Sequence, residues 1–275
     1  MLKPSKSGKS GTTDLRDLIF RDISDKRVEA RIWSTQDGVV AGIGRVTGKA
    51  RELGLSIDAH VRDGDEVKGG DTIATITGTP KQISVAEDVL IGLISKTSGI
   101  ATAARRAVKL SEGRIRIVCG AWKKMPYAIK NEIREAIETG GAEIRISSEP
   151  FIYLDKNYIR MFGGIKKALK AAKIFEDRIK VVQIKGETDL IWKEALEASC
   201  EGADIIMVDT GKIDDLAVVA EKLVDAGLRS SVELAFGGSI NLEDIPKFLT
   251  LDVDILDIGR AIIDAPMLDI RLDVV

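Results

Sequence analysis

The sequence predicts an α/β protein whose larger, C-terminal part is a β/α barrel of about six or seven parallel strands, open or incomplete. Three observations lead there. Beyond Gly113, seven short apolar runs recur: "RIRIVCG", "AEIRIS", "FIYLD", "KVVQIKG", "DIIMVD", "SVELAFG" and "DILDIG". Helical patterns separate most of them, among them "PYAIKNEIREAIETG", "DLIWKEALEASCEG" and "IDDLAVVAEKLVDAG". The runs are continuous rather than alternating, so both faces of their sheet are covered by helices. Helices that begin after Thr, Asp or Asn and stop at Gly mark the unit boundaries.

The first part of the chain differs. It carries short strand-like runs, "VEARIW", "GVVAGIG" and the hairpin-like "DGDEVKGGDTIATITG", punctuated by Asp63-Gly64 and Gly69-Gly70. A helix follows over about 84–109, with Ala86, Val89, Leu90, Leu93, Ile94 and Thr97 at helical spacing and Gly99 as an expected interruption. The last run, "MLDIRLDVV", reads as a strand returning to the first domain. The expected division is 1–111, with the returning strand 267–275, and a barrel domain over 112–266.

Composition narrows the function classes. The chain has 275 residues, 44% hydrophobic and 31% charged, with a net charge of −2. That balance argues against a general nucleic-acid or membrane-surface binder. No apolar run reaches the roughly eighteen residues of a membrane span. The N-terminal "MLKPSKSGKSGTT" lacks the apolar core of a signal peptide, so a cytoplasmic protein is expected. Cys119 and Cys200 are isolated in apolar patterns and read as core thiols. His60 is the single histidine, which leaves no room for a multi-histidine metal site.

Barrel enzymes build their sites at the C-terminal ends of the strands. Here those positions hold Lys123, Lys124, Arg145, Asp155, Lys156, Lys185, Glu187, Asp209, Gly237-Gly238-Ser239 and Gly259-Arg260. Cations in that number suit a polyanionic substrate, with a carboxylate left for a divalent metal. The glycine turns suit phosphate cradling by backbone N–H groups at a helix start. Any one of these residues is as readily a solvated charge or a helix cap, and Asp209 is placed to cap the helix near Ile213. It is the contribution from every strand that favours a site.

The segments "LIGLISKTSGIATAARRAV", "GAWKKMP", "GGAEIR", "YLDKNYI", "EGADIIMVD", "FGGSI" and "DILDIGRAI" occur in the order found in quinolinate phosphoribosyltransferases, which the chain resembles from about residue 22 to its end. "SGIATAARR" is also similar to the related nicotinate phosphoribosyltransferases. The resemblance implies an N-terminal α/β sandwich beside an open α/β barrel. It implies a homodimer whose first domain covers the partner's barrel mouth. It also implies transfer from phosphoribosyl pyrophosphate (PRPP) to a pyridine nitrogen with Mg²⁺, releasing pyrophosphate, as in NAD biosynthesis.

Carried over residue by residue, Lys123 matches a lysine facing the pyrophosphate, Arg145 the arginine of a "His-Arg" pair, and Asp209 a metal-side aspartate. Lys156, Gly237, Gly238, Ser239, Gly259 and Arg260 are the further phosphate-binding candidates. Other positions depart from the family. Trp122 stands where an arginine is expected, Ile144 for the histidine, and Asp155 for a lysine. Lys185 falls about where a glutamate is expected, so an Asp155–Lys185 ion pair with exchanged partners is anticipated, both taken as catalytic. Asp88 replaces an arginine that reaches the neighbouring chain's dicarboxylate. A carboxylate repels the acid groups of quinolinate. The expected base therefore carries fewer carboxylates or is cationic, with Trp122 either stacking on it or packing. The alternative is a relative that binds a phosphorylated ligand without catalysis. A carrier-domain reading of the 61–78 hairpin fails for want of a central lysine, since Lys68 is off the pattern.

Overall fold

The computed structural model describes residues 14–275, so the polar N-terminal stretch lies outside the described residues. Among the described residues, twelve strands form three sheets. They are β1 (Val28–Ser34), β2 (Gly38–Val39), β3 (Ser56–Ala59), β4 (Glu66–Val67), β5 (Thr72–Gly78), β6 (Arg116–Val118), β7 (Phe151–Leu154), β8 (Ile179–Ile184), β9 (Ile205–Asp209), β10 (Glu233–Gly237), β11 (Ile255–Asp257) and β12 (Ile270–Val274).

The first sheet is antiparallel, in the order β12-β1-β5-β3. The C-terminal strand does return: Ile32 of β1 lies opposite Leu272 on one side and Ala74 on the other. Strand β1 alternates buried and half-buried residues, as a sheet with one packed face requires. Its inner face, with Ala30, Ile32, Ile73 and Ile76, packs on Val46 and Ala50 of the helix Ile43–Glu52 and on Ile83, Leu90 and Ile94 of the helix Pro80–Leu110. This is a two-layer α/β sandwich. The expected hairpin is not one. Strand β4 pairs with β2 instead, and β5 pairs with β1 and β3.

The helix Pro80–Leu110 runs unbroken for 31 residues. Thr79 and Gln82 form a reciprocal capping box, and Pro80 occupies the first turn, where its missing N–H costs nothing. Gly99 does not interrupt it. A Cβ there would collide with the carbonyl of Pro266, so the glycine admits another backbone rather than ending the helix. The N-terminal half of this helix is buried in the sandwich core. Its C-terminal half, Ile100 to Ala107, is buried in the barrel core. At the changeover Ser98 accepts the Ala41 N–H at 3.0 Å and Thr102 accepts that of Val39 at 2.8 Å. Polar groups buried there are thus paired.

The second sheet is parallel, in the order β6-β11-β10-β9-β8-β7. Its inward side chains include Val118, Val181, Met207, Ala235 and Ile255. Its outer face is covered by helices such as Ile191–Cys200 and Ile213–Asp225. The expected strand "AEIRIS" is reduced to one bridge, Val118 to Glu143. Glu143 exchanges backbone bonds with Ile117 and Cys119 at 2.8 Å each, and the stretch beyond it bends away. The barrel is therefore open between residues 142–146 and β7. Side chains close the seam. Trp122 Nε1 donates to the Ile144 carbonyl at 3.0 Å, Arg116 donates to that of Ile146 at 3.2 Å, and the Arg145 guanidinium lies 5.4 Å over the Phe151 ring.

Of the two cysteines, Cys119 is buried and Cys200 is exposed at the end of its helix, contrary to the expectation for the latter. Burial pushes the Cys119 thiol up to about 12, so it is an inert core group.

Candidate active site

A cavity of about 590 Å³ opens at the C-terminal ends of the barrel strands. Lys123, Lys124, Arg145 and Arg260 line it with Asp209 and Asp257. Trp122, Ile144, Ile146, Phe151, Tyr153 and Met207 form apolar walls, and Gly238, Ser239 and Gly259 lie at its rim. Four cations, all solvent-exposed, and two carboxyls thus face one volume.

The lysines come from the turn Gly120–Lys124, a 3₁₀ segment directly after β6. Lys123 Nζ sits 5.7 Å from the Tyr153 ring centroid, so the aromatic face steadies it without neutralising it. Trp122 has one face against the Arg134 guanidinium at 4.9 Å and its N–H committed to Ile144. The indole is thereby fixed in the wall.

Asp209 ends β9. Its Oδ2 accepts Gln183 Nε2 at 2.5 Å and Lys185 Nζ at 3.2 Å, and Lys185 also donates to the Asp209 carbonyl at 2.5 Å. It is not a helix cap, since Ile213–Asp225 begins without one. The loop presenting Lys185 is held by the buried Glu194. That carboxylate accepts the N–H groups of Lys185, Gly186 and Thr188 at 3.1, 2.7 and 2.7 Å. The anticipated Asp155–Lys185 pair does not form. Asp155 caps the helix Lys156–Phe162, taking the Asn157 and Tyr158 N–H groups at 2.8 and 3.1 Å. Strand register is the reason. Leu154 lies beside Val182, so Asp155 falls level with Gln183, whereas Ile184 lies beside Val208 and brings Lys185 to Asp209.

Other sequence candidates sit outside the cavity. The Lys156 N–H donates to Gln183 at 2.8 Å and its side chain is exposed. Gly237 closes β10 beneath the rim. Asp88 is on the exposed face of the long helix and pairs with Arg16 at 2.5 Å. Glu187 is held by Arg160. The glycine turns lead only into single-turn helices, Ile245–Phe248 and Arg260–Ile263, so helix-start charge is not their asset. What they offer is unpaired donors. Among the described residues the N–H groups of Gly238, Ser239 and Gly259 have no protein partner. Gly238 and Ser239 both have positive φ, 114° and 54°, and a Cβ on Gly238 would meet the Gly211 backbone.

Sequence reasoning missed Asp257, Tyr153 and Gln183. A charged or amide residue inside an otherwise apolar strand, as in "DILDIG" and "KVVQIKG", was the available signal. Burial raises the pKa of Asp257, against the Gly120 N–H it accepts at 2.9 Å and the nearby Lys123; Asp209 pushes it further up. Burial likewise raises the Tyr153 phenol, with Asp257 and Asp209 adding to it.

No three His, Cys, Asp or Glu side chains converge among the described residues, so the protein alone builds no closed metal cage. Asp209 Oδ1 has no protein partner among the described residues, which fits a magnesium that arrives on a substrate's phosphates and retains water.

Known proteins with this architecture bear on the site. Residues 13–98 match the family profile "Quinolinate phosphoribosyl transferase, N-terminal domain", and residues 100–273 match its C-terminal domain. A probable nicotinate-nucleotide pyrophosphorylase [carboxylating] of Archaeoglobus fulgidus is 31% identical over 255 residues, 92% of this chain and 96% of that protein. The Homo sapiens nicotinate-nucleotide pyrophosphorylase [carboxylating] is 26% identical, covering 89% and 81%. The solved structure of the Francisella tularensis nicotinate-nucleotide pyrophosphorylase superposes with a TM-score of 0.79 at 22% identity, over 96% of this chain and 91% of that one. With both of its domains matched in order by family profiles, the chain belongs to the quinolinate phosphoribosyltransferase family.

Proposed function

We propose that the protein is a phosphoribosyltransferase that joins PRPP to the ring nitrogen of a pyridine-type base, and that quinolinate is not its preferred base. The observation that carries this reading is the convergence of Lys123, Arg145 and Asp209 on one cavity at the open end of the barrel. In the reaction the bond from the sugar C1 to the diphosphate breaks, and its electron pair leaves with the diphosphate. The lone pair of the base nitrogen forms the new C1–N bond. Lys123, Lys124 and Arg260 hold the departing charge, with the free N–H groups of the glycine turns as further donors. Magnesium, when bound, would neutralise part of the diphosphate charge, with the free Oδ1 of Asp209 as its holder.

The base side of the cavity supports the second half of the proposal. Arg145 is the cation set among Ile144, Ile146, Phe151 and Trp122. One guanidinium pairs with one carboxylate, and the apolar side chains around it offer a second acid group no partner. A base with a single acid group, or none, fits that wall.

A cytoplasmic homodimer is part of the proposal. Both cysteines are free thiols, as a reducing compartment favours. Tyr158, Met161 and Phe162, on the helix after β7, and Leu190, after β8, expose apolar surface near the mouth that a second copy would cover. Among the described residues no helix is long and apolar enough to cross a membrane.

The test is pyrophosphate release from PRPP with nicotinate, nicotinamide, quinolinate and purine bases, alongside the mass in solution. Turnover with a monoacid or uncharged base is expected, at a mass twice 29.8 kDa. Preference for quinolinate would reverse the assignment of the base. Silence across the panel from folded dimer would remove the transferase. The Lys185 ammonium on Asp209 favours a second reading, a non-catalytic binder of phosphoribosyl ligands. In calorimetry that binder would take up PRPP regardless of Mg²⁺, whereas the enzyme would require it.

A further inference from the structure

One polar group in the cavity has no part in the reaction as described. Asp257 ends β11 and lines the cavity. One carboxyl oxygen accepts the Gly120 N–H at 2.9 Å, while Oδ2 has no protein partner among the described residues. Strand register places it with care. Gly237 of β10 lies beside Asp209 on one neighbouring strand and beside Asp257 on the other. Two carboxyls therefore stand level across a residue that has no side chain. A Cβ on Gly237 would lie 3.7 Å from Asp209 Oδ1 and 3.6 Å from the Asp257 Cβ, so glycine keeps the space between them clear.

The surroundings define what fits. The turns that continue β10 and β11, at Gly238-Ser239 and Gly259, carry unpaired N–H groups suited to anions. Carboxyls set between anion seats repel a third anion and accept hydrogens. A ligand with phosphates at its ends and hydroxyls between them has that pattern of charge. We propose that Asp257 is a specificity-determining acceptor for a ring hydroxyl of a phosphorylated pentose, opposite Asp209. This rests on the phosphoribosyl reading above and adds the residue that recognises the sugar. A second metal ligand is the poorer reading. Asp209 already has Lys185 on Oδ2, Lys123 and Lys124 stand beside Asp257, and burial works against a full charge on it.

Titration calorimetry at fixed Mg²⁺, with ribose 5-phosphate, its 2-deoxy and 3-deoxy forms and inorganic phosphate, tests the proposal. Wild-type protein is expected to bind ribose 5-phosphate about tenfold more tightly than one of the deoxy forms, the size of the loss when a buried acceptor is left without its hydrogen bond. Asp257→Ser should erase that preference and leave phosphate affinity unchanged. Asp257→Asn, which keeps an oxygen for Gly120, guards against misfolding and should weaken the preference. Retention of the full preference in both variants would overturn the inference and spare the transferase. Failure of wild-type protein to bind any sugar phosphate, PRPP included, would overturn both.

Discussion

Replacing Trp122 by phenylalanine tests whether the open barrel seam is closed by side chains. The indole N–H is a donor to the Ile144 carbonyl, at 3.0 Å, on a stretch whose single bridge to the sheet is at Glu143. Phenylalanine keeps an aromatic ring for Arg134 to cover, and removes the donor together with the second ring of the indole. Leaving a half-buried carbonyl without its partner costs about 1–2 kcal/mol. Exchange of the Glu143 amide, which donates to the Ile117 carbonyl, should then accelerate through local opening roughly 5- to 30-fold. Hydrogen exchange read by mass spectrometry on peptides covering 142–150 measures this, with the β9 and β10 peptides as internal references. Arg145 rides on the same stretch, so the affinity for its partner anion should fall as well. If protection of the Glu143 amide stays at the wild-type level while base affinity alone drops, Trp122 acts by stacking on the ligand and the seam argument is wrong.

Three further outcomes are expected. Lys123→Ala removes a cation that lies over Tyr153 with no carboxylate in contact, so PRPP affinity should fall by about 10- to 100-fold with an unchanged fold; equal affinity by calorimetry would take the lysine out of the site. Gly99→Ala drives a Cβ into the Pro266 carbonyl and should cost about 1–3 kcal/mol, seen as a lower melting temperature; a wild-type melt would mean that the contact yields freely. Asp257 has a raised pKa in the folded state, above its ordinary 3.8, so folded protein binds the proton more tightly and stability falls as pH rises through that window. Asp257→Asn should therefore gain stability relative to wild type as pH climbs from below 3.8 to neutrality; a stability difference that is flat with pH would contradict the burial of this carboxyl.

Much of the architecture was readable along the chain. Continuous apolar strands such as "DIIMVD" and "SVELAFG", split by amphipathic helices, reflect a sheet covered on both faces, and that periodicity is local. The capping residues Thr79 and Asp155 are local too. Failures arose where local preference met a distant partner. Gly99 reads as a helix breaker because glycine lacks intrinsic propensity, yet it is there for the Pro266 backbone 167 positions on. "AEIRIS" has strand character, but with β7 turned away its outer edge has no backbone partner and it collapses to one bridge.

The site divides the same way. Strand ends and their charges follow from the sequence alone, because each is set by residues within one βα unit. Which ends share a level does not. Lys185 meets Asp209 rather than Asp155, and Asp257 faces Asp209 across Gly237, because of register between strands far apart in the chain. Register is set by how the buried faces and the connections of neighbouring strands fit one another, so a single βα unit does not contain it and it emerges only when the barrel is assembled.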